Sequence, residues 1–190
     1  MTYKWSNKNH LKTLSVFGQD NLLIFKTKTE KAQVHLKNNN IDKVIFVGPN
    51  NKKTILSITD AKKVVVGESN FCRDVYHWLK PGGPAPIMRL GITIHRGEGT
   101  WSSLPHYFEL SLEPGFEEVF FHLIKGGSGR AIQLGRGMWS NGDKVDDLWP
   151  VTDRQFSTVP MGYHPVVGEP GVHVSYIWVY LAKHSRWEKI

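Results

Sequence analysis

Three segments of the chain concentrate side chains able to do chemistry. GTWSSLPHYFE, residues 99–109, places His106 and Glu109 with a Trp and a Pro in an irregular run between two strand-like stretches. A loop built only to connect would favour small polar residues. GFEEVFFHLI, residues 115–124, reads as a strand whose alternation sets Glu118, Phe120 and His122 on one face and Glu117, Val119 and Phe121 on the other. If the even-numbered face points into a barrel, a buried carboxylate and imidazole each need a metal or a hydrogen bond. VPMGYHPVVGEPG, residues 159–171, turns at Pro160 and Gly162 to present Tyr163 and His164, and Pro165 fixes the chain just after them. Two histidines and a carboxylate from three strands, His106, His164 and Glu118, could bind a divalent cation and leave positions open for water or substrate.

Short β-like runs must position these groups. NLLIFKT, AQVHL, KVIFVG, KTILSI and KKVVVG recur about every ten residues, separated by turns such as KNNNID and GPNNKK, a spacing typical of a sandwich or barrel. In NFCRDVYHWLK, residues 70–80, Phe71, Val75 and Trp78–Leu79 fall near helical spacing, and the following PGGPAP reads as a hinge or linker. IMRLGITIHR, EEVFFHLI, GRAIQLG, QFSTVP and VHVSYIWVYLA supply further strands. The expected fold is all-β, with a jelly-roll barrel the natural form for short antiparallel strands around a cavity. The aromatic-rich SYIWVYLA is a candidate surface for self-association into a homo-oligomer.

The chain has 190 residues, 40% hydrophobic and 22% charged, which suits a folded protein with a sizeable core. The net charge of +7 is lopsided: residues 1–80 hold 14 Lys/Arg against 6 Asp/Glu, and residues 81–190 hold 10 against 11. The lysines are scattered, Arg is nearly absent from the first half and no stacking aromatics interleave, so this reads as a solvated surface rather than a nucleic-acid interface. No apolar run approaches the roughly 20 residues that would span a membrane. The opening MTYKWSNKNHLKTL lacks a secretory apolar core, and a single cysteine, Cys72, fits a reducing compartment. A cytoplasmic location is expected.

The run RDVYHWL…APIMRLGITIHRGEGTWSSLPHYFE…FEEVFFHLI…GRAIQLG…VPMGYHPVVGEPGVHVSYIWVYLA resembles the cupin family of 5-deoxy-glucuronate isomerase, whose sister enzyme is 5-keto-4-deoxyuronate isomerase. The resemblance covers about residues 68–187 and is carried by GTWSSLPH, EEVFF, AIQ and GYHPVVGEPG in the family's order. It implies a cupin domain over residues 68–190, a double-stranded β-helix. Residues 1–67 then form a β-rich N-terminal region like a shortened cupin half. In the family a divalent metal is typically held by three His and one Glu. The resemblance assigns His106, Glu118 and His164 as ligands of such an ion, whether zinc, manganese, iron or nickel. Phe108 stands where the family has its second His, so His122 or Glu109 would replace the missing ligand, or the metal is held by three protein ligands or not at all.

The implied reaction moves a proton between adjacent carbons of a sugar or sugar acid, exchanging aldehyde and ketone. Glu109, His122 and Tyr163 are the candidate catalytic bases. Arg89 and Arg130 are candidates to pair with a substrate carboxylate, Arg136 being the more surface-like, and Gln133 to bond sugar hydroxyls. Two rivals remain open: a non-haem iron oxygenase using a two-His, one-carboxylate set, and a non-catalytic cupin that binds a small sugar acid.

Overall fold

The computed structural model describes residues 2–102 and 114–182. His106, Phe108 and Glu109 lie outside the described residues. The chain is built almost wholly of strands: β1 (Lys4–Asn7), β2 (Ser15–Gln19), β3 (Leu22–Lys26), β4 (Lys31–Lys37), β5 (Asn40–Val47), β6 (Lys53–Leu56), β7 (Lys62–Val66) and β8 (Arg73–Leu79). The second half contributes β9 (Met88–His95), β10 (Glu118–Lys125), β11 (Arg130–Met138), β12 (Lys144–Thr152), β13 (Gln155–Val159), β14 (Met161–Tyr163), β15 (Val166–Gly168) and β16 (His173–Leu181). Among the described residues, helical structure is confined to three short 3₁₀ turns, and no helix is long and apolar enough to cross a membrane.

Strands β2 to β6 form an antiparallel meander in chain order. Its tight turns follow from side chains that tolerate positive φ. Asp20–Asn21 and Asn38–Asn39 each place two consecutive residues there, the backbone of the two-residue hairpin loops that match strand twist. Leu23, Phe25, Val34, Val44 and Phe46 alternate onto one buried face of this meander.

That face packs on a seven-stranded sheet of order β1-β13-β10-β16-β9-β8-β7, in which only β1 and β13 pair in parallel. Trp78, Leu90, Ile92, Phe121, Ile177 and Leu181 meet the meander in one continuous core. The opposite face of the same sheet closes against β12-β11-β14, with β15 also paired to β11, around Phe120, Val151, Met161, Val166, Val174 and Trp178. The two facing sheets are the barrel of the expected cupin fold. The central strands β9, β10 and β16 are covered on both faces, so they read as near-continuous apolar runs.

Three expectations are corrected. Residues 73–79 form a strand rather than a helix. The pairing of β8 with β9 slips between His77 and Leu79, a bulge that sends both Trp78 and Leu79 into the meander-facing core. Val75 and the adjacent Trp78–Leu79 pair therefore mimic helical spacing. PGGPAP is not a linker but the connection between neighbouring antiparallel strands, β8 and β9. SYIWVYLA is no association surface either: β16 lies between β10 and β9, and nearly all of its side chains are buried.

Candidate metal and substrate site

Glu118 opens β10, and period-two alternation carries Glu118, Phe120 and His122 into the barrel while Val119, Phe121 and Leu123 face the meander. His164 arrives from the opposite sheet, directly after β14. That approach depends on Gly137 and Gly162, which face each other across β11 and β14 with φ of 158° and 122°. A Cβ on either would collide with the backbone of the other strand. The His164 backbone is then tied to β11: the Gln133 side-chain amide donates to the carbonyls of His164 (3.0 Å) and Leu134 (2.9 Å), and the Leu134 N–H donates to the carbonyl of Pro165 (2.9 Å).

Within the barrel, Glu118 Oε2 and His164 Nε2 are 3.6 Å apart, and both residues are buried. Burial pushes the Glu118 carboxyl well above the usual carboxylate range. The separation exceeds that of a good hydrogen bond. Two ligands each about 2.1 Å from one tetrahedral ion would lie roughly 3.4 Å apart. A carboxyl and an imidazole at this separation, buried among mostly apolar side chains, therefore fit a divalent cation as a shared partner. Among the described residues no third His, Cys, Asp or Glu joins them. The stretch containing His106 is flanked by anchored residues on both sides. Ser102 exchanges hydrogen bonds with Val166 through its backbone N–H, 2.9 Å, and its Oγ, 2.7 Å. On the far side, the Gly115 N–H donates to the carbonyl of Ser140 at 2.7 Å.

The remaining candidates are dispersed. His122 is fully buried, its Nε2 is 2.8 Å from Ser157 Oγ, and burial pushes its imidazole down to about 3. The Phe120 ring is 6.2 Å from the His122 ring and 5.9 Å from the His164 ring, placing His122 behind Phe120 as seen from the Glu118–His164 pair. Tyr163 is half-buried on β14, paired across to Arg136 of β11. Gln133 is buried and committed to the carbonyls already named. Arg130 is exposed at the start of β11, 3.7 Å from Glu169, away from the barrel interior. Arg89 is buried, with its guanidinium donating to the carbonyls of Ala85 (2.9 Å) and Met88 (3.1 Å).

Residues that the motifs did not single out line the same interior. Tyr176 stacks on Phe120 with ring centroids 4.4 Å apart. Burial pushes its hydroxyl pKa up, and the nearby side chains of Ser102 and Thr93 oppose that shift. His95 lies beyond it, with Nδ1 3.1 Å from Thr100 Oγ1. Tyr180 is the register neighbour of Glu118 on one side and of Arg89 on the other. A strand pattern gives a face, and only pairing register gives the neighbour on that face.

The 5-deoxy-glucuronate isomerase of Geobacillus kaustophilus (strain HTA426) is 29% identical over 126 residues, which is 64% of this chain and 44% of that protein. The 5-deoxy-glucuronate isomerase of Bacillus subtilis (strain 168) is 27% identical over 124 residues, 63% of this chain and 44% of the relative. This chain thus spans less than half the length of the curated relatives it matches. Among solved structures, an IolB-like protein from Salmonella typhimurium LT2 superposes with a TM-score of 0.60 at 19% identity, over 86% of this chain and 63% of that one, a likeness of fold. The sequence profile of the KduI/IolB family matches residues 3–190, nearly the whole length, and the chain belongs to that family.

Proposed function

We propose that this cupin is a metal-dependent isomerase of the aldose–ketose type, acting on a sugar or sugar acid chemically related to 5-deoxy-glucuronate. The observation that carries the reading is the buried Glu118–His164 pair at 3.6 Å inside the barrel of a KduI/IolB family chain. Glu118 and His164, with His106 as the third ligand, would hold the ion. When bound, such an ion supplies Lewis acidity toward a carbonyl oxygen. The protein's own part is to orient the substrate, keep water out and move one proton between adjacent carbons. Phe120 and Tyr180 flank Glu118 with apolar surface that excludes water. Tyr163 and Glu109 are the candidate proton carriers. His122, bonded to Ser157 behind Phe120, supports the wall of the site. Divalent metal analysis and an aldose–ketose interconversion assay on wild type, Glu118→Gln and His164→Ala test the proposal. The expected result is one ion per wild-type chain and loss of both metal and turnover in the variants. Variants that hold as much metal as wild type would sink the ligand assignment. Bound iron with substrate-dependent oxygen uptake would favour an oxygenase. Thermal stabilisation by a sugar acid that survives chelation, without product, would mark a binding protein.

A further inference from the structure

A cavity of about 290 Å³ opens on the barrel-side face of β7, β8, β9 and β16, close to the lower limit of ligand pockets, roughly 300 Å³. Its lining joins three cations, Lys62, Lys80 and Arg89, to His77 and to the rings of Trp178 and Tyr180. Topology brings them together. Lys62, His77, Gly91 and Trp178 are successive register partners across four strands, and Arg89, Tyr180 and Glu118 are successive partners one step along. Among the described residues neither Lys62 nor Lys80 forms an ion pair, although Lys80 acts electrostatically on the exposed Asp60. The carbonyls of Ala85 and Met88 hold the Arg89 guanidinium, which fixes its charge in the wall. His77 lines the same cavity, and burial, followed by the charges of Lys62 and Lys80, lowers its pKa. Cations beside low-dielectric aromatic walls attract an anion more strongly than they would in open water.

We propose that this cavity is an anion subsite that receives the carboxylate of a sugar acid through Lys62 and Lys80, with Arg89 as a fixed charge behind them. The assignment rests on the isomerase reading for its choice of a sugar acid, and Tyr180, which lines the cavity, is the register neighbour of Glu118. Arg89 lies two strand spacings from Glu118, roughly 10 Å.

Calorimetric titration with D-glucuronate, D-glucose and inorganic phosphate tests the subsite in wild type, in Lys62→Met/Lys80→Met and in Lys63→Met. Lys63 is the control, because it pairs with Asp74 at 3.4 Å instead of lining the cavity. Glucuronate is expected to bind the wild type more tightly than glucose or phosphate. The double variant should lose about tenfold in glucuronate affinity per lysine, the factor of one charge-assisted hydrogen bond. Its glucose binding and melting temperature should stay unchanged, and Lys63→Met should behave as wild type. Glucuronate affinity that is unchanged in the double variant, or equalled by glucose or by phosphate, overturns the subsite. Running the interconversion assay in parallel separates the two proposals. Turnover whose KM ignores both lysines overturns the subsite and leaves the isomerase standing. Lysine-dependent glucuronate binding in a chain that turns nothing over does the reverse.

Discussion

Burial sets the ionisation of two histidines inside the barrel, and this makes the stability of the fold pH-dependent. Burial pushes His122 down to about 3, and burial, aided by the charge of Arg73, pushes His95 down to about 4. A histidine whose folded pKa is lowered stays neutral in the native state, so as pH falls through its ordinary value the unfolded chain takes the proton first. Stability is therefore full above about pH 6.5 and declines toward pH 4, by up to about 1.4 kcal/mol per pH unit for each such residue. Urea unfolding at pH 7, 6 and 5 should show this fall, with a shallower slope in His95→Gln. An equal slope in the variant would remove His95 from the account.

At the scale of elements, two buried glutamates fasten the meander end of the chain to the seven-stranded sheet. The Glu117 carboxylate, just before β10, accepts hydrogen bonds from the backbone N–H of Thr13 (2.9 Å) and Leu14 (2.8 Å). Glu30, just before β4, accepts from the N–H of Ile87 (2.9 Å) and Met88 (2.8 Å) at the start of β9. Each carboxylate spans about a hundred or about sixty residues of chain and answers backbone donors that burial would otherwise leave costly. Glu117 also sits next to Glu118 and faces the opposite way, so β10 carries a structural carboxylate on one face and the site carboxylate on the other. Glu117→Gln places an amide N–H among donors and is expected to cost about 2 kcal/mol of stability. Equilibrium unfolding reads that cost, and metal content should stay at the wild-type level; stability within 0.5 kcal/mol of wild type would show that the clamp does not hold.

For the whole molecule, the meander and the barrel share one core. Phe25, Phe46 and Val34 on one side interdigitate with Trp78, Leu90, Phe121 and Ile177 on the other, and β1 and β7 from the N-terminal part of the chain pair directly into the barrel sheet. The expected consequence is one cooperative unfolding transition in which tryptophan fluorescence and far-UV circular dichroism coincide. Phe46, 1% exposed, is the probe: Phe46→Ala should lower stability by about 3–5 kcal/mol while keeping a single transition. A meander that melts before the barrel would contradict the shared core.

The amino-acid sequence by itself determined what is local. Alternation in EEVFFHLI put Glu118 and His122 on one face, because side chains in a strand point to opposite sides with period two. Asn-rich turns marked hairpins, because Asn and Asp tolerate positive φ. The order of GTWSSLPH, EEVFF and GYHP marked the family. Tertiary structure alone decided what depends on pairing between distant segments. The bulge in β8 appears only against its partner β9, so a strand with one extra residue looked helical. The layer outside β16 is the meander, more than a hundred residues earlier in the chain, so an aromatic strand that looked like a surface is the middle of the molecule. Arg130 and Arg89 are the same residue type, yet one is solvated beside Glu169 and the other is buried behind a cavity. Lys62 and Lys80 stand in a lysine-rich half, and the pairing of β7 with β8, together with the turn after β8, sets them around one space. Register is a long-range property: a shift of one residue would turn every one of these side chains to the other face.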